Sequence, residues 1–339
     1  MLRLERSESP LDDAFAPRNV FQTPEWLRFV ATTQGAEPVV ARVFDDCTCV
    51  GRFTGLKVRR FGVPILGSPF KGWMTGPMGF DLDPAVPRRE AVEALMRFAF
   101  KEVGCLHVEV LDRHATFTDL DGMSARLAEF YTYELDLRPD EDSLLAGLVS
   151  SCRRNLRKSE REGVSVEEAH GVEFADEYYA QLEDVFEKQG INPPYDVERV
   201  RELIRCLEPT GNLLMLRARD PEGAPIATGI FPAHGEFAYL WGVASWRSHQ
   251  KLRPNEALFW NAIRHLKARG IPALDMGGGG DFKRKFGPQE RRIPFVRKSR
   301  VPGLMALRDA AARFYWKRAV SSVVAGAGFQ PEAFGFGAI

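Results

Sequence analysis

The sequence predicts an α/β (α+β) protein of two halves, each a mixed, mostly antiparallel sheet flanked by helices, and three observations lead there. A chain of 339 residues exceeds one ordinary domain and suits two, each burying its own core. The order of strands, helix, strands in the first half returns in the second as meander, helix, strand, strand. With 45% hydrophobic and 27% charged residues, the composition is that of a compact globular chain, neither disordered nor fibrous. The repeat is one of pattern, since no identity between the halves proves duplication.

The elements follow from local signals. Thr23 caps a short helix with Pro24 at its first position. Strands fit Pro38 to Phe44 and Cys49 to Val58, followed by a Gly/Pro-rich aromatic stretch, Phe61 to Phe80, that reads as a long ordered loop or irregular strand. From Pro87 to Val103 the apolar residues keep a helical period and Gly104 supplies the stop. Leu106 to Leu111 and Phe130 to Leu137 are strands. A linking helix fits Asp142 to Gly163, with Leu144, Leu148, Cys152 and Leu156 on one stripe. Helices over Phe174 to Gln189 and from the Asp196 cap to Leu207 precede a meander of Asn212 to Arg219, Ile226 to Phe231 and Glu236 to Val243. Pro254 opens a helix that stops at Gly270, and Ala273 to Met276 with Ile293 to Lys298 complete the second sheet. A last amphipathic helix spans Leu304 to Ala319. The expected division is 1–140, 141–300, and a C-terminal helix and tail over 301–339.

Lys plus Arg equals Asp plus Glu at 46 each, so no whole-molecule charge argues for nucleic acid and only local clusters speak. The five cysteines are scattered, without a CxxC pair, which fits a reducing compartment and assigns no metal. The charged N-terminus is not a secretory signal, and no apolar run approaches the roughly 20 residues of a membrane span. The expectation is a cytoplasmic protein with no transmembrane segment.

Two clusters carry chemistry. In Ser151 to Gly163, spacings of three and four align Arg154, Arg157, Lys158 and Arg161, which can grip a phosphate with charge-assisted bonds. The competing reading is a solvated basic face, because cations suit a helix C-terminus and Glu160 and Glu162 lie near enough to pair. In Asp275 to Gly287, four consecutive glycines permit close backbone approach to a ligand. There Lys283 and Lys285 can steady an oxyanion, and Asp275 or Asp281 can take a proton from an attacking amine. An idle surface loop is the alternative, weakened by the aromatic anchors Phe282 and Phe286.

Arg153-Arg154-Asn155-Leu156-Arg157-Lys158, Pro225-Ile226-Ala227-Thr228-Gly229, Tyr239-Leu240-Trp241-Gly242, Pro254-Asn255-Glu256 and Asp275-Met276-Gly277-Gly278 with Phe282 to Gly287 resemble, in order, the landmarks of the FemABX-like and cellulose-biosynthesis-type families of the GNAT superfamily. The resemblance spans about Ser143 to Lys298 and is specific collectively. It implies tandem GNAT-like domains, the first degenerate, and transfer of an acyl or aminoacyl group to an amine. On that resemblance Lys283 meets the donor carbonyl and Arg154 the acceptor phosphate, with Arg157, Lys158, Tyr195, Tyr239 and Lys285 as further substrate contacts. The chain departs from the ordinary acetyltransferase pattern at Ser245 to Arg253, which is basic and lacks a glycine-rich phosphate loop. Arg247, Lys251, Arg253 and Asn255 are therefore the donor-binding candidates. No tightly bound cofactor is expected, and acyl-CoA or aminoacyl-tRNA is the co-substrate.

Lone candidates rank lower. His249 can act as a base but reads first as a surface residue, and Tyr195 reads first as turn packing. The implied acceptor is a small-molecule or glycolipid precursor, and the tRNA is a possible donor. The rivals are an acetyl-CoA-dependent N-acetyltransferase of an amino sugar, and a non-catalytic module holding an anionic glycolipid or RNA.

Overall fold

The computed structural model describes residues 1–7, 15–187, 190, 192–306 and 310. By contacts the chain divides into two compact units, one of residues 1–131 with the segment resuming at Arg292, the other of residues 132–291.

The first unit contains β1 (Arg3–Arg6), α1 (Pro24–Gln34), β2 (Glu37–Asp45), β3 (Thr48–Arg60), β4 (Val63–Ser68), β5 (Phe80–Leu82), α2 (Arg88–Lys101) and β6 (His107–Leu111). Thr23 caps α1 as its sequence requires, accepting from the Trp26 N–H, and Gly35 closes it in the left-handed region. The segment Phe61 to Phe80, expected as loop or irregular strand, contains a regular strand in β4. β4 pairs antiparallel with β3 and parallel with β6. Its glycine and proline content hid it, because Pro64 and Gly67 lower strand propensity while pairing on both sides restores it. Phe53, Leu66, Phe80, Leu95, Phe98, Val108 and Val110 form the core under α2.

The chain passes into the second unit along β7 (Arg126–Asp136), then forms α3 (Glu141–Gly147), α4 (Ser150–Arg161), β8 (Ser165–Glu168), α5 (Phe174–Glu187), α6 (Val197–Leu207), β9 (Leu213–Arg219), β10 (Pro225–His234), β11 (Phe237–Tyr239), β12 (Gly242–Ser245), α7 (Pro254–Ala268), β13 (Ala273–Asp275) and α8 (Asp281–Arg284). β14 (Gln289–Ser299) returns to the first unit and pairs antiparallel with β6. Leu156, Leu216, Phe231, Phe259, Ile263, Leu274 and Phe286 are central to the second core.

Two expected elements of the second unit are each broken in two. The linking helix over Asp142 to Gly163 stops at Gly147, because Leu148 and Val149 are extended, with ψ of 144° and 150°. Arg153 fills the end of α3 by donating to the carbonyls of Ala146 and Leu148, and the Val149 N–H bonds the Lys285 carbonyl at 3.0 Å. Leu148, Cys152 and Leu156 are spaced by four across the break, so helical periodicity could not register it.

The strand expected over Glu236 to Val243 is likewise β11 and β12, offset by one residue. β11 pairs with β10 as Ala233↔Ala238, whereas β12 pairs with it as Ile230↔Gly242. At the offset Leu240 N–H bonds the Asp275 carbonyl and Trp241 N–H bonds the Ile230 carbonyl. β11 therefore runs parallel with β13, while β12 keeps only β10 as a strand partner among the described residues. β8 was also not anticipated; it pairs with β9 at the sheet edge. The expected C-terminal helix beyond 306 lies outside the described residues, apart from 310, as do Lys188 and Gln189.

Candidate active site

The glycine run leaves β13 as a loop held from inside. Asp275, 1% exposed, accepts from the Gly277 N–H at 2.8 Å and from the Thr132 hydroxyl. Gly277, Gly279 and Gly280 have φ of 68°, 75° and 94°, which explains why this stretch is glycine. The loop turns into α8, and Lys283 points inward: the residue is 8% exposed and its Nζ donates to the Gly278 carbonyl at 3.2 Å. A Cβ placed on Gly277 would lie 3.6 Å from the Tyr239 hydroxyl and 3.7 Å from Lys283 Nζ. These two polar tips therefore converge on the bare face of a glycine.

Burial lowers the Lys283 ammonium from the ordinary lysine value to about 8, with the Asp275 carboxylate pulling the other way. Burial, with Asp275 beside it, holds the Tyr239 phenol above its usual range. Asp281 behaves differently from Asp275, since its side chain is 89% exposed and pairs with Arg284 at 3.3 Å. Arg284 in turn donates to the Tyr133 hydroxyl at 2.7 Å.

The arginine helix α4 is tied to this loop at two points. Its first turn is anchored by the bond from Val149 to Lys285 described above. One turn further, Asn155 donates to Glu256 Oε1 at 2.8 Å, and Lys285 Nζ reaches the same oxygen at 3.4 Å. Glu256 is 4% exposed, near the start of α7. A buried carboxylate thus joins the helix, the loop and α7. The resemblance carried Glu256 within the Pro254-Asn255-Glu256 landmark, but nothing in the local pattern marked it as a shared anchor.

Arg153 is consumed by the carbonyls of α3. Arg154 and Arg157 are exposed and Lys158 is half-buried, and none of the three has a hydrogen-bond or ion-pair partner among the described residues. The pairing with Glu160 or Glu162 that the competing reading offered is absent among the described residues. Stacked cations without counter-charges repel one another, so the row has an unmet demand for an anion.

The other candidates are dispersed. Tyr195 is packed: its hydroxyl bonds that of Tyr178 at 2.7 Å, its ring lies 4.9 Å from Trp241, and Arg199 sits over its face at 5.6 Å. Burial pushes its phenol up. Arg247 is bound by Asp184 through backbone N–H at 3.1 Å and Nε at 3.2 Å. Lys251 and Arg253 are exposed and have no such partner among the described residues. Lys251 lies within a 3-10 turn, Arg247–Leu252, and Arg253 closes that turn at φ 62° immediately before α7. The side-chain oxygen of Asn255 is buried without a hydrogen-bond partner. His249 bonds Ser248 at 2.9 Å. No helix among the described residues is long and apolar enough to cross a membrane.

A half-sheet with an offset strand, a helix after it and a parallel strand beyond is the layout of an acyltransferase domain of the GNAT type. Residues 148–284 match the family model of the acetyltransferase (GNAT) domain. That segment is thus an acyltransferase domain of the GNAT type, and over most of its length the chain has a fold similar to that of FemX. The structure of FemX superposes with a TM-score of 0.70 at 13% identity, covering 84% of this chain and 93% of that one. L-PGS from Bacillus licheniformis gives 0.53 at 13% identity, over 89% and 98% of the two chains. A tandem GNAT protein from the clavulanic acid biosynthesis pathway gives 0.51 at 13%, over 89% and 99%. No curated protein sequence matches the chain.

Proposed function

We propose that this acyltransferase moves an acyl or aminoacyl group from an activated thioester or ester to the amine of a phosphate-bearing cell-envelope precursor. The observation that supports this reading is the row of unpaired cations, Arg154, Arg157 and Lys158, on a helix anchored through Glu256 to the loop that carries Lys283. The row suits an acceptor phosphate. The Lys283 ammonium and the Tyr239 hydroxyl suit the oxygen of an attacked carbonyl, because both are donors held in a water-poor place.

In this reading the acceptor nitrogen attacks the carbonyl carbon and the carbonyl oxygen gains negative charge against Lys283. The nitrogen loses its proton to water or to a carboxylate, and the carbon–sulfur or carbon–oxygen bond of the donor breaks as the amide forms. No covalent enzyme intermediate is needed. Asp275 already accepts two hydrogen bonds and serves here to fix the loop and to keep Lys283 charged. Asp281, in solvent, is the carboxylate open to a proton.

An acyl-CoA is the donor the GNAT fold implies, and the residues present fit it without a glycine loop. Lys251 and Arg253 offer free cations for its phosphates, and the unpartnered Asn255 oxygen accepts an N–H. The test is to incubate the full chain with labelled acyl-CoA, or separately with aminoacyl-tRNA, and with amine acceptors that carry or lack a phosphate. Transfer to the phosphorylated acceptor with a KM about tenfold or more below that of its dephosphorylated form is expected. Equal KM values would remove the phosphate from recognition, and no transfer from either donor would favour a binding module.

A further inference from the structure

The first unit carries a feature that the proposed mechanism does not use. β3 and β4 form a hairpin whose last pair is Arg60↔Val63, leaving the two-residue loop Phe61-Gly62. Both loop residues have positive φ, 50° for Phe61 and 79° for Gly62. That turn favours Asn, Asp or Gly at its first position, and a bulky aromatic there is strained. Phe61 gains nothing in return inside the molecule, since its side chain is 100% exposed. An aromatic held at a hairpin tip against both conformation and hydration points to a partner that receives it.

The charges around it say which partner. Arg59 and Arg60 are exposed and have no hydrogen-bond or ion-pair partner among the described residues. The same end of the sheet can be followed across the strands: Leu106 N–H bonds the Pro64 carbonyl at 2.9 Å, and Arg300 N–H bonds the Leu106 carbonyl at 2.9 Å. It therefore also presents Arg300, exposed although its guanidinium donates to the Phe100 carbonyl at 3.2 Å, and Lys101 at the end of α2. Glu102 opposes them, while Glu37 is already bound by Arg6 and Lys57. Beyond Arg300, Val301 is 45% exposed. Lys298 and Ser299 on this strand end help wall a cavity of about 380 Å³.

We propose that this end of the first unit docks on an anionic lipid surface, with Phe61 entering the interface and Arg59, Arg60 and Arg300 lying against the headgroups. An aromatic tip collared by arginines is matched to a layer that is apolar inside and negative outside, and cationic side chains at such a surface each contribute about fivefold in partition. A tip of one residue gives reversible, peripheral binding.

The test is co-sedimentation of the full chain with vesicles of phosphatidylcholine alone and with about 30% phosphatidylglycerol, at about 0.1 M and 0.5 M salt. Binding to the anionic vesicles that weakens with salt is expected. Phe61→Asn should lower the partition about fivefold or more with an unchanged or raised Tm, since Asn tolerates this conformation. The pair R59Q/R60Q should lower it about tenfold or more and flatten the salt dependence. Transfer to a soluble acceptor should be unchanged in both variants, which separates this proposal from the one above. Equal partition of wild type and variants, equal binding to neutral vesicles, or an oligomer lost in Phe61→Asn with vesicle binding intact would each overturn it.

Discussion

In the proposed mechanism Lys283 works in the form that costs the fold most. Its ammonium is desolvated, and the lowering to about 8 is the sign of that cost. The folded value lies below that of the unfolded chain, so the penalty is fully present below pH 8 and is relieved as pH rises toward the ordinary lysine value. Lys283→Met should therefore stabilise the protein at pH 7 by about 1–3 kcal/mol while abolishing turnover. The gain, read as Tm, should shrink above pH 8. In the wild type kcat should fall as pH rises through 8, because the cation is lost; a rise over that range would make Lys283 a base instead. Gly277 is a companion case. Gly277→Ala would force a side chain to φ 68° and set a methyl against Tyr239 and Lys283. A loss of about 1 kcal/mol in stability is expected from the strained backbone, with a larger loss of activity than of substrate binding.

Among elements, the helix α4 depends on a residue outside itself. Glu256→Ala would leave the Asn155 amide and the Lys285 ammonium without their shared acceptor, at an expected cost of about 2–3 kcal/mol measured by denaturant unfolding. The acceptor KM should rise in the same variant, because α4 is no longer held to the loop. What the sequence disclosed is explicable at this level. Periodic helices such as α1, α2 and α6 were legible because their apolar spacing is local, and Thr23 and Asp196 cap the first and last of these. The break between α3 and α4 was not, because it is made by Arg153, Lys285 and a stripe that ignores it. β4 and the division of β11 from β12 were hidden for the same reason, since pairing with distant strands decides both. The two clusters that build the candidate site were visible as composition, a run of cations and a run of glycines, whereas the Glu256 link between them exists only after folding.

For the molecule as a whole, equal numbers of acids and bases, 46 each, mean that no global field draws an anionic acceptor in. Attraction must come from places where cations lack partners, and screening should act there. The acceptor KM is expected to rise several-fold between about 0.05 M and 0.3 M salt. The triple variant R154Q/R157Q/K158Q should have a raised KM that no longer responds to salt, with kcat little changed. If the triple variant keeps the wild-type slope, the phosphate is held elsewhere.

The single-residue offset between Phe237–Tyr239 and Gly242–Ser245 has a corollary for the length of the chain. Trp246 N–H bonds the Ile226 carbonyl, so by alternation the amides of Val243 and Ser245 face away from β10, toward the side where no strand pairs with β12 among the described residues. Deleting either Leu240 or Trp241 would cancel the extra residue and rotate those amides inward, erasing a ready set of donors without touching any charged group. The number of residues between these two strands is thus constrained in its own right, apart from what their side chains do.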